Sequence, residues 1–129
     1  MRHINKVLII GNVTRDPEVR KTLSNESITT FGVATNRDWT TKSGQQEHAT
    51  EFHEVVAWGR LAEIASKLVK KGTLVHIEGR LKTRSWDDTS GLKKFKTEIV
   101  AEDIIILQKR PKTEAELKPA PTKNFSDIP

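Results

Sequence analysis

The chain has four histidines, His3, His48, His53 and His76, and no two of them have metal-ligand spacing such as HExxH. His53 and His76 fall in stretches that read as strands, where a lone histidine is ordinarily structural. The acids are scattered, with no pair suited to general acid–base work. Asp87-Asp88-Thr89-Ser90-Gly91 suggests a calcium loop, but it lacks the full alternation of oxygen ligands and the closing glutamate, and reads as a hairpin turn. GxxxxGK[ST], GxGxxG and GxSxG are absent. There is no cysteine, which excludes thiolate metal sites, cysteine nucleophiles and disulfides. The expectation is a protein that is not an enzyme and uses no metal or cofactor.

The aromatic residues say more. There are three tryptophans, four phenylalanines and no tyrosine. Large rings ordinarily fill the core of a small domain, and Phe31 and Phe95 fit by following the apolar alternation of their segments. Trp86 does not. Alternation places it with Arg80, Lys82 and Arg84, opposite the apolar set Val75, Ile77 and Leu81. Trp39 follows Arg37 and Asp38 at the mouth of a polar stretch. Phe52 and Trp58 share a strand face about 20 Å apart.

Rings beside guanidinium and ammonium groups on exposed sheet positions have a physical use. An unpaired nucleobase exposes a flat π face that duplex stacking hides. Covering it with an aromatic ring is worth about 1–3 kcal/mol per base and tolerates any sequence. Neighbouring cations neutralise phosphates and release counterions. Tryptophan is also enriched at protein–protein interfaces, so on these residues alone a nucleic acid and a protein partner both stay open.

The elements that must hold these side chains follow from periodicity. Lys6 to Ile10 is a short apolar run stopped by Gly11-Asn12. Ile28 to Trp39 is rich in Thr, Val and Phe. Glu51 to Trp58, Thr73 to Trp86 and Phe95 to Leu107 alternate as strands do. Leu61, Ile64, Ala65, Leu68 and Val69 have the helical period, with Lys70 and Lys71 in the last turn and Gly72 at the cap. Thr40–Thr50, with Ser43-Gly44, and Asp87–Lys94, with Ser90-Gly91, read as hairpin loops. Five strands with one short helix between the third and fourth is the order of an OB-fold, a five-stranded Greek-key β-barrel of the all-β class.

At 129 residues the chain is one domain, large enough to bury a core. It is expected to fold over residues 1–107, with 108–129 as a disordered tail: four of the five prolines lie after residue 110 and all the glycines lie at or before Gly91. No stretch is apolar enough for a membrane span, and the start has no apolar run of signal-peptide length, so a cytoplasmic location is expected. Basic residues number 22 against 17 acidic, a net charge of +5. Their placement is lopsided: residues 67–96 hold nine Lys or Arg against Glu78, Asp87 and Asp88.

The stretches NKVLIIGNVTRDPEVR (5–20), FGVATNRDW (31–39), TEFHEVVAWGRLAEIASKLVKKG (50–72), VHIEGRLKTRSWDD (75–88) and SGLKKFKTEIVAEDIIIL (90–107) together resemble bacterial-type single-stranded DNA-binding proteins. WGRLAEIA, then KKG, then IEGRLKTRSW is a highly specific combination. The resemblance implies binding of single-stranded DNA without strong sequence preference, coating unwound strands in replication, recombination and repair. It also implies a cytoplasmic, nucleoid-associated setting. Its stacking positions match Trp39, Phe52, Trp58 and Trp86. Its basic positions match Lys6, Arg20, Arg60, Lys71 and Arg84. Charge and alternation alone add Arg37, Lys42, Arg80, Lys82, Lys94 and Lys96. The family is usually a homotetramer, with Asn5 to Ile10 matching a subunit-pairing segment and His53 a position tied to tetramer stability. An RNA-binding OB module is the nearest rival, but nothing here reads a 2′-hydroxyl.

The tail departs from the family pattern. It has no glycine, and Lys109, Arg110, Lys112, Lys118 and Lys123 outnumber Glu114, Glu116 and Asp127. It closes on Phe125-Ser126-Asp127-Ile128-Pro129, keeping the Asp-Ile-Pro of family tips without the acidic cluster or a terminal Phe. By resemblance Phe125, Asp127, Ile128 and Pro129 form a tip that docks replication and repair proteins.

Overall fold

The computed structural model describes residues 1–109; the tip residues Phe125, Asp127, Ile128 and Pro129 lie outside the described residues. Its elements are β1 (Val7–Val13), β2 (Glu18–Lys21), β3 (Ser27–Thr40), β4 (Gln46–Trp58), α1 (Gly59–Leu68), β5 (Leu74–Asp87) and β6 (Lys93–Gln108). The sheet order is β1-β5-β6-β4-β3-β2, and a further β1–β3 pairing closes it. All neighbours are antiparallel except β4 and β6, which meet in parallel at Val55↔Ile99 and Val56↔Val100. This is the expected all-β, five-stranded barrel with one helix.

The strand that the sequence reading lacks is β2. It pairs with Ser27–Thr30 of β3, while β1 pairs with Val33 and Ala34 on the same strand. β1 and β2 therefore follow one another along a single edge of β3, interrupted around Pro17, which cannot donate to a ladder. All four β2 residues are exposed and carry no apolar alternation, so nothing in them signals a strand.

The core is aliphatic with one ring. Phe31, Val33, Val55, Ala57, Val75 and Ile77 are fully buried inside the barrel, and Ala62, Ala65 and Val69 seal one end. The helix sits differently from its predicted stripe. Ala62 is buried, whereas Ile64 and Leu68 are exposed. The Thr29 hydroxyl donates to the Ala62 carbonyl at 2.7 Å, drawing the helix close to β3. Only small side chains fit at that approach, so the helix turns its alanines inward. It ends at Leu68, so Lys70 and Lys71 stand beyond it.

The loops expected at 40–50 and 87–94 tighten to five residues, because the strands run further than their apolar stretches. Three hairpins close with one device: Thr22–Glu26, Thr41–Gln45 and Asp88–Leu92. In each, a side-chain oxygen on the first residue bonds the serine two positions on and accepts the backbone N–H four positions on. The fourth residue, Asn25, Gly44 or Gly91, has φ between 67° and 85°. That left-handed conformation suits glycine and, next best, asparagine.

The Asp88 carboxyl is held below its ordinary value of 3.8, first by the Ser90 hydroxyl and then by backbone N–H groups of Leu92, Ser90 and Gly91, against desolvation, which raises it. Its contribution is complete above that ordinary value and is lost as pH falls through the lowered one. Acidification should therefore loosen the β5–β6 turn before the barrel, read as loss of Leu92 amide protection by NMR. Gly91→Ala should cost about 1–2 kcal/mol, since its Cβ meets open space and only the backbone is strained. Gly91→Asn should cost less. Equal urea midpoints for Ala and Asn would contradict the left-handed turn.

Candidate nucleic-acid interface

Two hairpins outrun the barrel. In β3 burial stops after Gly32 and Val33, while the strand continues to Thr40; in β5 it stops at Gly79, while the strand continues to Asp87. β1 reaches Ala34 on β3 and, through the Asn5 side chain, Leu81 on β5; past those residues β3 has only β4 beside it and β5 only β6. Side chains on these arms keep the alternation of a strand but have no second layer to bury against.

The four expected stacking residues lie on or beside these arms, and all are exposed: Trp39 at 38%, Phe52 at 75%, Trp58 at 39% and Trp86 at 42%. Register sorts them. Val56 pairs with Val100, and Val100 with Arg80, so Phe52 and Trp58 on β4 share a sheet side with Arg80, Lys82, Arg84 and Trp86 on β5. Trp39 and Arg37 have the opposite parity in their ribbon, the side that carries Phe31 and Val33 lower down. Trp58 ends β4 and caps α1.

The cations fall into groups. Arg20, Lys82 and Arg84 line one cleft with Val56, Trp58, Glu98 and Val100. β2 supplies Arg20 by register: Arg20 pairs with Ile28, and Ile28 with Trp58. The Arg84 guanidinium lies 4.9 Å from the Trp86 ring centroid, and Arg37 lies 5.1 Å from that of Trp39. Such cation–π contacts are worth about 0.5–1 kcal/mol when exposed. Lys96 pairs with Arg84 across the ribbon, and Lys94 with Trp86, where it reaches Asp88 at 3.8 Å.

Other expected cations stand elsewhere. Lys6 is on the outer side of the β1–β5 ladder, 2.6 Å from Glu78. Lys42 is in the Thr41–Gln45 turn. Arg60 is in the first turn of α1. Lys71 follows the helix, its backbone N–H donated to Asp16.

Phe95 and Leu81 correct the sequence reading, which placed both inside. Their parity is that of Ile99 and Gly79, as expected, but they sit past the end of the barrel. Phe95 is 66% exposed, with Lys93 5.9 Å from its ring centroid. Glu98 is a further residue of the site, with no mark in its own segment. It accepts from Arg84 Nε at 2.8 Å inside the cleft and is only visible once β5 and β6 are in register. Among the described residues no cluster of three metal-ligating side chains occurs, and no helix is long and apolar enough to cross a membrane.

Residues 4–107 match the model of the single-strand binding protein family. The chain belongs to that family. It is 50% identical over 107 residues to single-stranded DNA-binding protein 1 of Chlorobaculum tepidum, covering 82% of this chain and 66% of that one. It is 41% identical over 134 residues to the single-stranded DNA-binding protein of Caldanaerobacter subterraneus, covering 98% and 88%. Among solved structures, the Plasmodium falciparum SSB in complex with ssDNA superposes with a TM-score of 0.78 at 27% identity, over 84% of this chain and 98% of that one. A deletion mutant of the single-stranded DNA binding protein from Thermus aquaticus gives 0.74 at 36% identity, over 83% and 52%.

Within this family member the outer side of β1, β5 and β6 is built from specific polar contacts amid exposed Leu8, Ile10 and Ile105. The Asn5 side-chain amide donates to the Leu81 carbonyl and accepts from the Leu81 N–H, extending the β1–β5 ladder by one step. His53 Nε2 and the Thr35 hydroxyl share a hydrogen bond of 2.8 Å. The Lys6 ammonium, through a hydrogen bond and then its charge, holds the Glu78 carboxyl below its ordinary value of 4.5. The pair's contribution is present above that value and lost as pH falls through the lowered one. Lys6→Met should return the Glu78 titration upward in a carboxyl-detected NMR experiment; an unchanged midpoint would mean the pair does not form in solution.

Proposed function

We propose that this chain binds single-stranded DNA without strong sequence preference, by stacking bases on Trp39, Phe52, Trp58 and Trp86 and neutralising phosphates with Lys and Arg. The observation that carries this reading is four exposed rings on the rim and arms of a closed barrel, two of them already under a guanidinium. Arg20, Lys82 and Arg84 are the cations best supported, since they share a cleft with Trp58. Arg37, Arg80, Lys94 and Lys96 extend the positive track along the arms. Lys42, Arg60 and Lys71 meet DNA only where it wraps further round the domain, and Lys6 only by giving up Glu78.

Nothing in such a mechanism transforms the ligand, so the protein is read as a non-enzymatic coat for unwound strands in replication, recombination and repair, acting in the cytoplasm on nucleoid DNA. Residues 1–107 would be the binding domain and 108–129 a tail whose tip docks replication and repair proteins. A homotetramer is part of the reading. Its support is the apolar outer side of β1, β5 and β6, which a second copy would cover and along which Asn5 to Ile10 runs; His53, on the other side of β4, enters by resemblance alone.

Intrinsic tryptophan fluorescence tests it. Oligo(dT) should quench strongly, oligo(U) less and duplex little. The logarithm of affinity should fall with that of salt at about −0.7 per phosphate neutralised. Trp39→Ala and Trp86→Ala should each weaken oligo(dT) binding by about 1–3 kcal/mol. Equal response to duplex and single strand would reject stacking. Native mass spectrometry with and without long oligo(dT) would report subunit number and stoichiometry together.

A further inference from the structure

The β5–β6 arm has two faces, and Arg80, Lys82, Arg84 and Trp86 occupy only one of them. Trp86 and Phe95 belong to adjacent cross-strand pairs, Trp86↔Lys94 and Ser85↔Phe95, so their side chains leave the same ribbon on opposite sides. Each ring lies under a cation two residues away on its own strand, Arg84 at 4.9 Å and Lys93 at 5.9 Å. Arg37 and Trp39 repeat the arrangement on the β3–β4 arm. Every cation–ring pair among the described residues is thus of this one kind, and each lies beyond the barrel. Among the described residues Phe95 is the most exposed ring after Phe52.

The bland uses of such a ring do not fit. Core filling fails because no second layer faces the arm there. Folding of the turn does not need it either, since the Asp88 network closes the hairpin through polar groups alone. Beside it the Thr83 and Thr97 hydroxyls bond one another at 2.9 Å, which leaves a small flat floor next to the ring. A ring face, a cation above it and hydroxyls beside it match a base with its attached phosphate.

We propose that Phe95 and Lys93 form an additional stacking subsite for one unpaired nucleotide, on the opposite face of the β5–β6 arm from Trp86. A bound strand would then engage both faces of the arm by rounding its free edge or its tip. This rests on the single-strand reading above and deepens it.

The test uses the full chain with long oligo(dT). Phe95→Ala should bind at least about five-fold more weakly, the low end of one lost base stack. Its melting temperature and native mass should be those of wild type. Phe95→Trp should keep wild-type affinity, and its added emission should be quenched at saturation. Lys93→Ala should reduce the salt dependence by about one phosphate's share. Wild-type affinity in Phe95→Ala, or unquenched added emission in Phe95→Trp, would overturn the subsite while leaving the parent reading intact. A changed native mass in Phe95→Ala would overturn it in favour of a protein contact. No quenching of the wild-type tryptophans would sink the parent reading and this one together.

Discussion

Length mismatch between strands and barrel is the constraint on which the rest depends. A closed five-stranded barrel can bury only as many residues per strand as its height allows, and here β3 and β5 spend about half their length on that task. The remainder is still hydrogen-bonded as ribbon, so it is ordered, yet it has solvent on both sides. Rings placed there cannot be satisfied by packing. They are rigid, wet and flanked by charge, an arrangement that costs stability unless a ligand covers it.

The turns and the barrel make that arrangement tenable. A two-stranded ribbon alone is marginal in water. These arms are anchored at one end in the core through Phe31, Val55 and Ile77, and tied at the other by turns whose first residue collects N–H and hydroxyl donors. Reuse of one turn in three hairpins keeps the strands in register, so that ring, cation and hydroxyl fall on predictable faces. A one-residue slip would move Trp86 to the Phe95 side and Arg84 away from Glu98.

Much of this was legible in the residues and some was not, for identifiable reasons. Strand identity and side-chain parity are local, and alternation reported both: Trp86 does share its side with Arg80, Lys82 and Arg84. The height of the barrel is not local. Leu81 and Phe95 continue the core parity past the point where a second layer exists, and periodicity carries no mark of that point. β2 was illegible because Glu18–Lys21 is held by backbone pairing with β3, with no buried face to leave a pattern. The helix stripe held at Leu61, Ala65 and Val69 but not at Ile64 and Leu68, because the helix is rotated to bring Ala62 against β3, where the Thr29 hydroxyl bonds its carbonyl. Arg84–Glu98 and Lys6–Glu78 join segments whose register no single segment encodes, though the WGRLAEIA and IEGRLKTRSW motifs pointed to the family.

The cations over the rings bear on how such a surface stays open. In the free protein Arg84 is shared between the Trp86 ring and the Glu98 carboxylate, and Lys94 between the ribbon and Asp88. A half-exposed cation–ring contact such as Arg84 over Trp86 is worth about 0.5–1 kcal/mol, whereas a stacked base is worth about 1–3 kcal/mol. In the proposed stacking, a base displaces the guanidinium from the ring face and leaves the freed cation beside the phosphate that the same nucleotide brings. On that reading Glu98 in the cleft and Asp88 in the turn act as place-holders that keep long basic side chains extended near the rings. A track assembled from such replaceable contacts holds a polymer through their number and yields it one nucleotide at a time.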